Sequence, residues 1–197
     1  MQYDNLVDRA AAFAVEAHAG MLRNDGTPYI LHPMEVAVIL RTMTKDEDVI
    51  AAGLLHDVVE DTPHTMDEIL ARFGPRVAAL VAAETENKRD DLPKRETWQI
   101  RKEESLAELR AAEDIGVKML WLADKLSNMR AFRRFYEVDG PALWKRFHNS
   151  DTTRQAWYYR SVADAVSMLR ETAAWQEYTA LLNQVFADTP TTGGNDR

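Results

Sequence analysis

Apolar residues recur at helical spacing along most of this chain. The amino-terminal segment shows the pattern clearly, with apolar side chains at Leu6, Ala10, Phe13 and Ala17. This spacing places them on one face of a helix. Similar patterns predict helices that open at 33 and near 46, then over 77–85, 98–112 and 115–135, with a last helical region over 152–186. Because alternation with a period of two residues is not sustained anywhere, the pattern predicts an all-α fold.

Turn and capping residues separate these predicted helices. Residues 24–28, Asn-Asp-Gly-Thr-Pro, have the composition of a turn. Residues 65–68 have the form of a capping box, and Phe-Gly-Pro at 73–75 predicts the end of one helix and the start of another. The highly charged stretch 86–96 contains a proline and is predicted to be a loop, and Gly-Pro at 140–141 breaks the pattern again.

The length of the chain suits a single domain. It has 197 residues, of which 46% are hydrophobic, and this is enough to bury a substantial core. We therefore expect one domain over residues 1–188. Residues 189–197 form a polar stretch that we expect to be a disordered tail.

The stretch from Leu54 to Pro63 is the most informative part of the sequence. On a continuous helix that stops at the proline, His56 lies over Glu60 and Asp57 lies over Asp61. Three carboxylates near the end of a helix oppose its dipole, each at a cost of about 0.3–1 kcal/mol. A bound divalent cation would compensate, and imidazole and carboxylate suit such an ion. The alternative is a solvated acidic helix end, but the apolar residues before this stretch favour a buried metal site.

Several other residues are candidates for chemistry. His32 precedes a proline at a loop-to-helix junction, where it is either a ligand or a histidine satisfied by nearby backbone. Asp124 and Asn128 share one face of an apolar helix. A carboxylate there binds either a metal or an arginine such as Arg130, Arg133 or Arg134, and spacing alone leaves both open. Arg23 can grip a phosphate or stack on a base, or serve solubility alone.

The remaining histidines and a group of cations have weaker claims. His18 is expected to pack near the site, His64 to be exposed and His148 to be structural. A basic cluster is usually a solvated surface, although here it could border a polyphosphate site. Its members are Lys88, Arg89, Lys94, Arg95, Arg101 and Lys102.

Composition and charge exclude several classes of function. The absence of cysteine excludes disulfides, thiolate metal sites and cysteine nucleophiles. A net charge of −8 argues against non-specific nucleic-acid binding, although a metal and local cations would still allow an anionic substrate. There is no signal-peptide layout and no apolar run near the roughly 20 residues that span a bilayer. We therefore expect a cytoplasmic protein with neither nucleic-acid nor membrane partners; the sequence does not fix its oligomeric state.

Three segments in order resemble a known family. Residues 20–33 resemble the opening motif of the RelA/SpoT-type HD hydrolase domain. Residues 55–62 resemble its HDxxED motif, and residues 122–130 resemble its third motif, ADxLxNxR. The resemblance covers about the first 135 residues. It is closer to the stand-alone small alarmone hydrolases, which include the metazoan SpoT homologue, because little chain remains after the hydrolase region.

This resemblance implies an HD-superfamily helical bundle with one manganese ion and a nucleotide substrate. The implied reaction removes the 3′-pyrophosphate of guanosine tetra- or pentaphosphate, giving GDP or GTP and pyrophosphate. Glu60 and Asp61 would orient or activate the attacking water. The implied metal ligands are His32, His56, Asp57 and Asp124, and the implied nucleotide-binding residues are Arg23, Asn128 and Tyr29.

Two alternatives to alarmone hydrolysis stay open. Asn24 stands where the family often has lysine, and Ser127 stands where its bifunctional members often have histidine. A phosphohydrolase of the same chemistry could therefore act on another nucleotide with a ribose 2′- or 3′-phosphate. The other alternative is a nucleotide-binding regulatory module without catalysis, although the intact acidic pair Glu60 and Asp61 argues against it.

Overall fold

In a computed structural model, the structure describes residues 5–86, 89, 92–146 and 149–189. Within these ranges the chain is helical and contains no strand, only an isolated bridge between Leu22 and Pro28. The predicted all-α fold is therefore confirmed. Most of the tail predicted to be disordered, residues 190–197, lies outside the described residues, as do Lys88 and His148.

The helices follow one another with short connections. They are α1 (Leu6–Ala17), α2 (Leu31–Met43), α3 (Glu47–Leu55), α4 (Val58–Asp61), α5 (Met66–Phe73), α6 (Pro75–Ala82), α7 (Lys94–Ala111), α8 (Ile115–Asp139), α9 (Thr152–Ala165) and α10 (Ala173–Val185). Two 3₁₀ segments, Gly140–Arg146 and Ser167–Leu169, precede and follow α9.

Side-chain caps and glycines set many of these boundaries. The predicted capping box is present at α5, where the Thr65 hydroxyl accepts from the Glu68 N–H and the Glu68 carboxylate accepts from the Thr65 N–H. Gly74, at φ +89°, separates α5 from α6 in a conformation that side-chain-bearing residues rarely adopt. Gly140, at φ +55°, ends α8.

Several predicted boundaries were wrong. The second helix begins at Leu31, so that Pro33 is its third residue, a position where a missing N–H costs no helical hydrogen bond. The stretch predicted as a loop over 86–96 becomes helical at Lys94, directly after Pro93. Proline disfavours helical backbone at the residue before it, not at the residues that follow. The last predicted helical region is two helices, since the chain turns at 167–169 before α10 begins.

Helix α3 lies at the centre of the molecule. It packs against α1, α2, α6 and α8, and all its residues from Val49 to Leu55 are buried. Small residues allow these helices to approach closely: a Cβ on Gly53 would lie 2.3 Å from Leu40 Cδ1. The fold thus holds the end of α3, with its His-Asp pair, among neighbouring helices.

The carboxyl-terminal helices form a second wall around α8. Helix α10 packs along α8, and α9 packs against α7 and α8. Aromatic contacts fill this region, including the edge-to-face pairs of Trp98 with Tyr158 and Phe132 with Tyr159. None of the helices in the described ranges has the length and apolar character needed to cross a membrane.

Candidate metal centre and adjoining cleft

The His-Asp pair lies in a break between two helices, not on one continuous helix as predicted. Helix α3 ends at Leu55 and α4 begins at Val58. Asp57 occupies φ −90° and ψ −6°, away from the centre of the helical region. The Gly53 carbonyl lies 2.9 Å from His56 Nδ1, so the imidazole itself bonds to the end of α3. The break turns both side chains toward α2 and α8.

Four side chains converge at this break. His32 Nε2 is 3.0 Å from Asp124 Oδ1 and 3.5 Å from Asp57 Oδ2. His56 Nε2 is 3.1 Å from Asp57 Oδ2 and 3.7 Å from Asp124 Oδ1. Ligand atoms at about 2.1 Å from one metal ion lie roughly 3.0–3.5 Å from one another. The spacing of these four side chains therefore suits a single ion.

The buried atoms of the cluster are suited to hold a cation. Ligand atoms of His32, His56 and Asp124 all lie within 4.8 Å of one another, and all three residues are buried. Because His56 Nδ1 bonds to the Gly53 carbonyl, the lone pair of its neutral ring is left on Nε2. That Nε2 is buried without a hydrogen-bond partner in the described chain, although Asp57 is close by. A lone pair that faces two charged carboxylates is repelled by them, so either a proton or a metal ion must lie between this nitrogen and the acids.

The electrostatics of the cluster favour positive charge. Burial lowers the pKa of His56, but the neighbouring carboxylates, Asp57 foremost, together outweigh burial and bring the pKa to about 10. Burial raises the pKa of Asp57 and Asp124. The cationic and hydrogen-bonding neighbours of each acid, His56 foremost for Asp57 and Lys125 foremost for Asp124, together outweigh burial and leave each pKa below its ordinary value. Both acids are therefore charged at neutral pH. The cluster attracts either a proton or a metal cation.

Tyr29 supports the cluster from the side of α1 and α2. Its hydroxyl oxygen lies 2.7 Å from both Asp57 Oδ2 and Asp61 Oδ2, and having one proton it donates to one of them at a time. Burial and the two carboxylates raise the pKa of Tyr29 far above its ordinary value, so this donor keeps its proton. His18 stacks on the Tyr29 ring with centroids 4.8 Å apart, and burial lowers its pKa. His18 thus packs beside the site, as predicted.

The residues predicted to act on water and nucleotide line one cleft with the cluster. The volume of this cleft is about 440 Å³, within the usual range for ligand pockets. Glu60 Oε2 accepts a hydrogen bond from the Glu86 N–H at 3.3 Å. Arg23 donates to Asn128 Oδ1 at 3.0 Å, and Asn128 donates to Asp124 at 2.8 Å. All the predicted site residues line this cleft: Arg23, Tyr29, His32, His56, Asp57, Glu60, Asp61, Asp124 and Asn128.

The arginine alternative for Asp124 was wrong. Arg130 pairs with Glu35 and Glu177, and Arg133 pairs with Glu137. The cation beside Asp124 is Lys125, the next residue in the chain. His64, predicted to be exposed, is half-buried, with Nδ1 3.2 Å from Glu68 Oε2 and its ring against Phe13.

Sequence reasoning missed two acids of the cleft. Glu84 is buried 3.5 Å from Lys125 Nζ, and burial together with the charge of Asp124 raises its pKa to about 8. Glu86 Oε2 lies 2.8 Å from Arg101 Nη1 and 3.1 Å from Lys102 Nζ. The signal available for Glu84 was its position directly after the apolar run of α6.

The basic cluster divides between the cleft and the surface. Arg101 and Lys102 line the cleft, where they share Glu86. Arg89 instead pairs with Glu104, which is exposed. With Lys125 and Arg23, the described residues that line the cleft include four cationic side chains beside the acidic candidate metal centre.

Comparison with known proteins identifies relatives of this chain. The family model described as "HD domain" matches residues 10–153. The curated relatives include "GTP pyrophosphokinase rsh" of Brucella abortus, 42% identical over 125 residues, which are 64% of this chain and 16% of the relative. They also include "Guanosine-3′,5′-bis(diphosphate) 3′-pyrophosphohydrolase" of Aquifex aeolicus, 39% identical over 136 residues, which are 69% of this chain and 19% of the relative. The chain thus spans less than a fifth of these relatives.

Two solved structures match over nearly their whole length. The crystal structure of lmo0812 from Listeria monocytogenes is 34% identical, has a TM-score of 0.69, and is matched over 99% of its length by 79% of this chain. The structure described as "A metazoan ortholog of SpoT hydrolyzes ppGpp and plays a role in starvation responses" is 27% identical, also with a TM-score of 0.69. In that case the match covers 98% of the neighbour and 95% of this chain.

Proposed function

Because the chain belongs to the HD domain family, we propose that it is a metal-dependent hydrolase of a nucleotide polyphosphate. The proposed reaction removes the 3′-pyrophosphate of guanosine tetraphosphate or pentaphosphate, giving GDP or GTP and pyrophosphate. The observation that carries this proposal is the convergence of two imidazole nitrogens and two carboxylates on the wall of a cleft that also holds several cations.

His32, His56, Asp57 and Asp124 would hold one divalent ion, which we propose to be manganese. A set of neutral imidazoles and charged carboxylates suits ions of this hardness. When bound, such an ion lowers the pKa of its water and neutralises charge on phosphoryl oxygens. The sites for water and substrate would lie on the cleft side of the cluster, because the other sides are closed by α2, α3 and α8.

Glu60 and Asp61 are the proposed acid–base residues. Both line the cleft beside the cluster, and a carboxylate there can accept a proton from an attacking water. Asp61 is oriented by the Tyr29 hydroxyl, and Glu60 by the Glu86 N–H. Each acid therefore has a neighbouring donor that limits its rotation, which is what a positioned general base requires.

The cations of the cleft are the proposed contacts for the nucleotide. Arg101 and Lys102 would receive phosphate oxygens, and Arg23 with Asn128 would contact the nucleoside. Arg23 lies 5.7 Å from the centre of the Tyr29 ring, so its guanidinium plane is partly anchored. The names of the Aquifex relative and of the metazoan structure support hydrolysis of this substrate class. The Brucella relative carries a synthetase name, but this chain spans only a sixth of it.

A product assay tests the proposal. The purified chain, freed of metal and supplied with manganese, should convert guanosine tetraphosphate to equal amounts of GDP and pyrophosphate, resolved by anion-exchange chromatography. The chelated protein should be inactive, and Asp124→Asn should fold but retain little manganese by elemental analysis. Orthophosphate release from a different nucleotide, with guanosine tetraphosphate untouched, would favour the 2′- or 3′-phosphate alternative. Bound manganese without turnover of any nucleotide would favour a regulatory module.

A further inference from the structure

A chain of hydrogen bonds runs from the back of His32 to the last helix. His32 Nδ1 lies 2.9 Å from Ser127 Oγ, which in turn donates to Glu35 Oε2 at 2.7 Å. Glu35 Oε1 accepts from Arg130 Nη1 at 3.0 Å. Arg130 then donates through two nitrogens to Glu177, at 2.6 and 2.7 Å. We call Ser127, Glu35, Arg130 and Glu177 the His32 network.

The charges in this network determine that Nδ1 of His32 carries a proton. Glu35 bonds to a guanidinium and is therefore an acceptor only. Ser127 has one proton, which it must give to Glu35, so the hydroxyl oxygen presents only lone pairs to the imidazole. His32 Nδ1 must then be the donor, which leaves Nε2 as the ring atom that would coordinate a metal ion. That atom lies 3.0 Å from Asp124 Oδ1, on the inner side of the metal centre.

The far end of the network lies outside the range of the HD domain match. The HD domain match ends at residue 153, whereas Glu177 belongs to α10. Arg130 is held by Glu177 in a bidentate pair, the arrangement that restricts a guanidinium most strongly. With Arg130 fixed, Glu35 is fixed as well, and Glu35 orients a hydroxyl that is 2% exposed. Helix α10 thus reaches a ligand atom through three side chains.

We propose that the His32 network sets the tautomer of His32, and that Glu177 is a remote positioning residue for the metal centre. This inference rests on the proposed metal site. Outer hydrogen bonds to metal-bound histidines commonly change metal affinity by about 10- to 100-fold. The network would therefore make α10 part of the metal site, although α10 contributes no ligand.

Metal affinity measures the energetic part of the proposal. Titration calorimetry of the metal-free chain with manganese should give about 10- to 100-fold weaker binding for Ser127→Ala. Glu177→Gln should weaken binding by about two- to fivefold, the range of a partly exposed ion pair. Glu171→Gln is the matched control, because Glu171 pairs only with Arg170 among its described contacts and both are exposed. Its affinity should equal that of the wild-type chain, and thermal melts should show that all variants fold.

The tautomer can be read in the chain loaded with zinc, a diamagnetic ion that imidazole and carboxylate also bind. Ring-nitrogen correlation spectra should show His32 protonated at Nδ1 and coordinated through Nε2, and Ser127→Ala should speed the exchange of the Nδ1 proton with solvent. In a wild-type chain that binds the ion, His32 coordinated through Nδ1 would overturn the network, as would unchanged affinity in Ser127→Ala. Failure of the wild-type chain to bind either manganese or zinc would instead overturn the proposed function.

Discussion

Two glutamates of the cleft illustrate how neighbouring groups decide what an acid can do. Glu60 lines the cleft and accepts a backbone hydrogen bond, so its carboxylate is held in place. Glu84 is buried against Lys125 and Asp124, and its pKa is raised to about 8. The first is therefore suited to accept a proton from water, whereas the second holds its own proton near neutral pH.

Replacing Glu60 separates catalysis from metal binding. Glu60→Gln keeps the shape of the side chain and an oxygen that can still accept from the Glu86 N–H. Loss of a general base commonly lowers kcat by about 10²- to 10⁴-fold, and we expect that loss here with little change in KM. Elemental analysis should show full manganese content. A variant that loses its metal would place Glu60 among the ligands instead.

Glu84 should make the stability of the metal-free chain fall as pH rises. Its pKa is about 8 in the folded chain against an ordinary value of 4.5, so the unfolded chain releases the proton first. The stabilisation that protonated Glu84 contributes to the folded chain is therefore lost between about pH 4.5 and pH 8. Glu84→Gln removes this dependence. In urea unfolding with chelator, the free energy of unfolding of the variant should therefore rise relative to that of the wild-type chain as pH rises through that window.

The control for this experiment is an exposed acid. Glu171→Gln makes the same charge change at a side chain that is 87% exposed, and its difference from wild type should not vary across the same pH range. Equal pH profiles for Glu84→Gln and wild type would mean that Glu84 is ionised in the folded chain. The pairing with Lys125 would then dominate over burial.

At this scale, the motif residues were predictable and their surroundings were not. His56, Asp57 and Asp124 lie in apolar stretches, where a buried charge must be paired or bind a metal. Their type and position therefore indicated a metal site. The signal for Glu84, its position after the apolar run of α6, was weaker, because its burial depends on how α8 docks against the end of α6. The spacing of apolar residues within one segment does not show which residues 40 positions apart will come into contact.

Helix α3 depends on close approach to α2. Gly53 faces Leu40, which is fully buried, and a Cβ at position 53 would lie 2.3 Å from its Cδ1 and 3.3 Å from Val36 Cγ1. The same glycine offers its carbonyl to His56 Nδ1. Packing of this helix pair therefore sets the position of a proposed ligand.

Gly53→Ala should destabilise the fold although alanine favours helices. The helical preference gains about 1 kcal/mol, while overpacking a core costs about 1–3 kcal/mol. Because Leu40 is fully buried and Val36 lies 3.3 Å from the same Cβ, we expect a net loss in the free energy of unfolding, measured with urea. In a Leu40→Ala background the clash is removed, and Gly53→Ala should there be stabilising. The same sign in both backgrounds would show that Leu40 is not the obstacle.

At the scale of elements, helices were predictable and breaks within them were less so. The spacing of apolar residues gave α1 and most of α8, because burial on one face is recorded in the sequence. The break at His56 and Asp57 was not, since both residues are compatible with a continuing helix. The turn there is supported by the ring of His56 bonding to the Gly53 carbonyl, and this is a side-chain interaction that periodicity does not reveal.

The whole molecule is acidic, yet its cleft collects cations from distant parts of the chain. The net charge is −8, but Arg23, Arg101, Lys102 and Lys125 all line one cavity. Helix α9, which follows most of the family match, closes that cavity with Tyr158 and Tyr159. The sequence indicated phosphate contacts only as alternatives for Arg23 and for the basic cluster. Which cations of that cluster face inward depends on how α7 packs against α9.

Lys102 offers the sharpest test of this arrangement, because its charge faces both Glu86 and the cleft. Its Nζ lies 3.1 Å from Glu86 Oε2 and 4.8 Å from the centre of the Tyr158 ring. Hydrogen bonds to charged groups contribute about 1.5–3 kcal/mol, so Lys102→Met should raise KM for guanosine tetraphosphate by about tenfold or more. Because this contact is present before the transition state, kcat should change little. The KM of the wild-type chain should also rise with salt more steeply than that of the variant.

Lys145→Met removes the same charge from an exposed position outside the cleft and should leave KM unchanged. An unchanged KM in a folded Lys102→Met variant would restrict this lysine to its ion pair with Glu86.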